Sequence, residues 1–110
     1  MNWIQINNNS TFEDILQLSN DKPVLIFKHS TRCSVSFMAK KNLEWQLDQH
    51  ITSYLLDLLA YRSISNEIAA SFSITHQSPQ VILVKNGKAI YNASHGKIDP
   101  ETINQLCSTT

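Results

Sequence analysis

The chain has 110 residues and a mass of 12.5 kDa, is 42% hydrophobic, and balances nine Lys+Arg against nine Asp+Glu. That length and apolar content suit one globular domain over residues 1–110 and exclude a disordered chain, and the even charge leaves no footprint for nucleic acid or a membrane surface. The apolar runs "VLIF", "VILV" and "YLLDLLAY" are too short or, through Asp57, too polar to cross a bilayer, and "MNWIQINNNS" lacks the pattern of a signal peptide, so a soluble, cytoplasmic monomer is expected.

"WIQI" (3–6) alternates like a strand. "STFEDILQLS" follows with Ser10 and Glu13 in capping-box spacing and Phe12, Ile15 and Leu16 on one face, which predicts a helix. "PVLIFKH" (23–29) reads as a buried strand, with Pro23 at its start where a missing donor is tolerated. From about Cys33 to Gln49 there is no Gly or Pro, and Val35, Met38, Ala39, Leu43 and Leu47 recur at helical spacing, so these five are expected on a buried face. Phe37 and Trp45 fall off that stripe and are expected either to cover the sheet or to face a client.

"ITSYLLDLL" (51–59) predicts a strand, and "SISNEIAASF" (63–72), with Ile64, Ile68 and Phe72 four apart, a helix. "QVILVKNGKAIYNA" predicts two strands joined at Asn86-Gly87, the pair that favours a type I′ hairpin. "DPETINQLC" closes the chain as a helix with Asp99 as N-cap and Pro100 at its first position. The order β-α-β-α-β-α-β-β-α implies an α/β fold with a mixed central sheet flanked by helices. In such sheets chemistry gathers at the carboxyl ends of strands, and "PVLIFKH" ends just before Cys33.

Cys33 and Cys107 are too few for a disulfide framework, and His29, His50, His76 and His95 make no zinc spacing with them, so no metal is expected. A thiol reacts as its thiolate, and the open N–H groups of a helix N-terminus favour an anion. Lys28, Arg32, Lys40 and Lys41 flank Cys33 with no acid between Asp21 and Glu44, which reads as a cationic setting for that anion. Ser36 follows one turn later, where its hydroxyl is expected to donate to the thiolate without forming a disulfide. Cys107, on the apolar face of the last helix, reads as packing.

Cys33-Ser34-Val35-Ser36 resembles a monothiol version of the thioredoxin C-x-x-C site. Pro79 in "THQSPQVILV" stands where thioredoxin-fold proteins place a cis-proline facing the cysteine, which would leave the Ser78 backbone free to pair with an incoming peptide or thiol. "KHSTRC-x-x-S", "YRSISNEIA", "H-x-SPQ" and "ASH" occur in an order similar to that of the bacillithiol-linked YtxJ family, the monothiol bacilliredoxins. The resemblance spans nearly the whole chain and implies a thioredoxin-like fold with Cys33 as the nucleophile. It also implies removal of bacillithiol from S-bacillithiolated client proteins, with bacillithiol as co-substrate, a low-molecular-weight thiol as partner and no bound cofactor.

Thr31, Arg32, Ser34, Ser36, Ser78 and Pro79 are then the candidates for steadying the thiolate or holding the substrate, with His29, His76 and Gln77 as further candidates. Arg32 and its cationic neighbours would attract the malate group of bacillithiol. The family often carries proline directly after the cysteine, where this chain has Ser34 and so regains a backbone N–H. A second reading, a non-catalytic thioredoxin-fold module binding a peptide in the groove beside Pro79, has no need for a cationic setting at Cys33.

Overall fold

A computed structural model describes residues 2–7 and 11–108. Its elements are β1 (Trp3–Gln5), α1 (Phe12–Leu18), β2 (Val24–His29), α2 (Ser34–Gln46), β3 (Thr52–Asp57), α3 (Arg62–Phe72), β4 (Gln80–Lys85), β5 (Lys88–Ser94), a 3-10 turn (His95–Lys97) and α4 (Pro100–Ser108). The chain order matches the sequence reading. Strands lie in the order β1-β3-β2-β4-β5, parallel from β1 through β3 to β2, then antiparallel from β2 to β4 and β4 to β5. Among the described residues no helix is long and apolar enough to cross a membrane.

β2 is central, and all six of its residues are buried, which is why it reads as a continuous apolar run rather than an alternating one. Its side chains still alternate between two cores. Val24 and Ile26 pack with Phe12, Ile15 and Ile68 on the α1/α3 face, and Leu25 and Phe27 pack with Leu43 and Ile103 on the α2/α4 face. The last two residues of β2 are polar, so the same alternation sends Lys28 toward α3 and His29 toward α2.

Several ends differ from expectation. Ser10, expected to cap α1, lies outside the described residues; Thr11 caps the helix instead, its side chain accepting from the Asp14 N–H while Asp14 accepts from the Thr11 N–H. Asn86 and Gly87 adopt φ of 52° and 73°, as a type I′ turn requires, and Ser19 pins the hairpin by accepting from both backbone N–H groups. Asp99 accepts from Glu101 N and Thr102 Oγ1 at the start of α4.

The largest difference lies in α2. Val35 and Met38 were expected on the buried face but are 52% and 58% exposed, while Ser36 is fully buried with Leu43. Two polar partners at the end of β2 draw Ser36 inward, and the helix rotates its first apolar residues into solvent. Phe37 and Trp45 are exposed as well, with Lys41 lying over the Phe37 ring.

Candidate active site

Cys33 is the N-cap residue of α2, in extended conformation (φ −115°, ψ 121°). Its N–H donates to Ser30 O (3.2 Å) and its carbonyl accepts from Phe37 N (3.0 Å), which closes the loop and starts the helix. The thiol is half-buried and is not used as a cap. Cys33 therefore stands at a helix N-terminus whose first-turn N–H groups its side chain does not bond, a setting that suits an anion.

The loop beneath is tied by Ser36. Its Oγ accepts from the Ser30 backbone N–H (3.0 Å) and lies 2.6 Å from His29 Nδ1. Burial pushes the His29 imidazole below its ordinary value; the Lys40 charge adds to this, and Asp57 and Glu44 oppose it. A neutral ring, stacked on Phe27 (centroids 5.6 Å apart), accepts a hydrogen bond from the Ser36 hydroxyl at Nδ1 when its own proton sits on Nε2. Ser36 thus corrects the sequence expectation: spacing put its hydroxyl opposite the thiol, but the hydroxyl faces inward and joins the end of β2 to the first turn of α2. Its bearing on Cys33 is positional.

The cationic setting also dissolves. Lys28 is fully buried on the opposite face of the sheet, donating to Ser65 O (3.1 Å) and lying 3.2 Å from His76 Nδ1. Desolvation lowers its pKa to about 8. Lys40 pairs with Glu44 at 2.7 Å and Lys41 lies 4.0 Å from the same carboxylate, which also accepts from Trp3 Nε1. Helical geometry brings residue 44 back over 40 and 41, so an acid that is distant in sequence is adjacent in space. Of the four cations, only Arg32 remains exposed beside the thiol without a side-chain partner among the described residues. Thr31, on the same loop, and Ser34, the first residue of α2, are exposed as well.

The second wall of the site is the loop before β4. Lys28 pairs with Gln80 across the sheet, so the chain before Gln80 stands beside the chain after Lys28, the segment that leads to Cys33. The Ser78–Pro79 peptide bond is cis. His76 fastens this loop from behind through Lys28 and Ser65 Oγ (3.3 Å), its pKa lowered first by burial and then by Lys28 and Arg62. Gln80 holds it from below, its Nε2 donating to Thr75 O and Ser94 Oγ. Gln77 is exposed and lines a polar cavity with Asn92, Ser94 and Lys97.

With this geometry the comparisons are specific. The chain matches the monothiol bacilliredoxin BrxC family over residues 4–103. The chain belongs to the monothiol bacilliredoxins. A thioredoxin-fold protein proposed to be an oxidoreductase is 28% identical, with a TM-score of 0.79 over 93% of this chain and 90% of its own. The thioredoxin of Malassezia sympodialis (Mala s 13) is 20% identical, with a TM-score of 0.70 over 99% and 91% of the two chains. Spinach chloroplast thioredoxin f in its long form is 14% identical, with a TM-score of 0.72 over 96% and 84%. At these last two identities the likeness shows the fold alone. Family and fold together make this bacilliredoxin a thiol–disulfide oxidoreductase.

Sequence reasoning assigned no role to His95, yet the structure puts it against the loop before β4: its Nε2 lies 3.0 Å from Ser78 O and its N–H donates to Pro79 O. A signal was present. Counting antiparallel pairs outward from the Asn86-Gly87 turn brings residue 95 opposite the loop that carries Ser78.

Proposed function

We propose that this protein removes bacillithiol from S-bacillithiolated proteins in the cytoplasm, acting as a monomer. The Cys33 thiolate attacks the bacillithiol sulfur of the mixed disulfide. The old S–S bond breaks, the client leaves as a thiolate and takes up a proton, and a Cys33–bacillithiol disulfide forms. An external thiolate then attacks the bacillithiol sulfur, leaving as a mixed disulfide with it and returning Cys33 to the thiol. Both steps are exchanges, and no outside oxidant is consumed.

The observation that carries this reading is that, among the described residues, no second cysteine lies within reach of Cys33. Ser36 occupies the position of a resolving cysteine. Cys107 lines a cavity with Pro23 and Lys85, at the end of β2 opposite Cys33. The six residues of β2, at about 3.3 Å each, separate the two ends by roughly 17 Å, and a disulfide needs Cα atoms within about 7 Å. A mixed disulfide on Cys33 therefore waits for an external thiol. In this reading the exposed Arg32 offers its charge to a malate carboxylate, and the exposed Thr31 and Ser34, with the Ser78 N–H, hold the remainder of the adduct.

The test is to incubate the reduced protein with a bacillithiolated protein, and separately with a glutathionylated one, and to follow intact mass. Bacillithiol is expected on Cys33, with transfer lost in Cys33→Ser and kept in Cys107→Ser. Equal transfer of glutathione would remove the assignment to bacillithiol. No transfer from either would overturn the exchange reaction.

A further inference from the structure

His95 opens the 3-10 turn after β5 with φ of 54°. A carbonyl accepts only from a donor, so the ring nitrogen facing Ser78 O carries a proton whether the imidazole is neutral or charged. The Ser78 carbonyl is thus capped by a side chain of its own chain. The Ser78 N–H has no partner among the described residues. The edge beside Cys33 therefore offers a donor while its acceptor is occupied.

An extended polypeptide that adds to such an edge needs both groups, a donor for its C=O and an acceptor for its N–H. A carbonyl has two lone pairs, so one bond alone would not exclude a second. The ring itself is exposed, however, and forms a wall shared by the polar cavity bounded by Gln77 and Lys97 and a cavity of about 180 Å³ walled by Val35, Met38 and Ala39 of α2, so a strand that reaches Ser78 O meets it.

We propose that His95 is a specificity-determining residue: by capping the Ser78 carbonyl, it makes the edge beside Cys33 donor-only, so that the site takes a small thiol through a carbonyl and discriminates against an extended peptide strand. This rests on the exchange reaction proposed above, in which the small thiol occupies the site and the client protein is only the leaving group. A client then needs no particular sequence around its cysteine.

The experiment uses three probes, each a mixed disulfide with 2-nitro-5-thiobenzoate, so that every reaction releases the same chromophore. The probes are bacillithiol, an extended peptide with one central cysteine, and the same peptide N-methylated beside that cysteine. His95→Gly is the main variant and His95→Asn the second, because both residues tolerate positive φ and keep the turn. Loss of the cap is expected to raise the rate with the plain peptide about fivefold, the effect of one net hydrogen bond. Rates with bacillithiol and the N-methylated peptide should not change. Equal changes on all three probes would make His95 merely structural, and no change on any would remove it from recognition; either result overturns the proposal. If wild-type Cys33 reacts with none of the probes, the exchange reaction fails and the inference fails with it. Reaction without a change in selectivity sinks the inference alone.

Discussion

The two cysteines stand at opposite ends of one sheet, and their surroundings differ in kind. Around Cys33 the polar residues are bonded and most are buried or half-buried: His29 with Ser36, Ser36 with Ser30, and Lys28 with Ser65 and His76, with the exposed His95 bonded to Ser78. Around Cys107 the sequence supplies packing. The side chain lies against the apolar core beneath α4, and burial, reinforced by the Asp48 charge, pushes its pKa up to about 11. One thiol stands at a helix N-terminus beside the loop before β4, and desolvation raises the pKa of the other. A buried polar network costs stability compared with an apolar core, so its presence at one end marks where function constrains the fold.

The most direct way to break this comparison is to exchange the roles of the thiols. Cys33→Ser should abolish disulfide exchange, read by intact mass, while Cys107→Ser leaves it intact. Exchange surviving in Cys33→Ser would place the chemistry at the wrong end. Labelling sharpens the point. Iodoacetamide at pH 8 should modify Cys33 well before Cys107, because a pKa near 11 leaves only about one thiolate in a thousand at that pH. Peptide mapping of the labelled protein would read the order.

The two ends should also respond to pH with opposite signs. Lys28 has its pKa lowered from 10.5 to about 8, so its contribution to stability is complete above 10.5 and is lost as pH falls through 8. Cys107, raised from 9.0 to about 11, contributes fully below 9 and loses that contribution as pH rises through 11. Urea unfolding of Lys28→Met should therefore lack a rise on the order of 3 kcal/mol between pH 8 and 10.5 that the parent chain shows against Cys107→Ser as background. A pH profile unchanged in Lys28→Met would mean that Lys28 is not the buried amine described.

Smaller effects test the supports. Ser36→Ala leaves the Ser30 N–H and His29 Nδ1 unmatched and should cost about 1–3 kcal/mol in denaturant unfolding, with slower exchange at Cys33. Stability lost without any change in rate would separate Ser36 from positioning the thiol. Gly87→Ala, in the hairpin near the Cys107 end, should cost about 1 kcal/mol through its φ of 73° and leave the exchange rate alone.

Much of the site was legible residue by residue. Cys33 at a strand-to-helix junction, Ser36 one turn on and Pro79 before β4 follow from local patterns and chain order. The misreadings share one physical cause. A charge seen in sequence has a direction only after the sheet forms, and pleat alternation sent Lys28 through to α3 while one helical turn returned Glu44 to Lys40 and Lys41. Val35 and Met38 were assigned to the core by a periodicity that is real, but the pull of His29 and Ser30 on Ser36 set the helix phase.

What the amino-acid sequence determined by itself is the local order: nine elements, the Asn86-Gly87 hairpin, the α4 cap and the thiol at the head of α2. These depend on interactions within a few residues, namely period, propensity and turn chemistry. Only the tertiary structure decided which groups share a space: the burial of Lys28, the inward hydroxyl of Ser36, the separation of Cys107 from Cys33, and the His95 cap on Ser78. Those contacts join residues brought together by strand pairing and the burial of two cores, and their energies exist only once the sheet has closed.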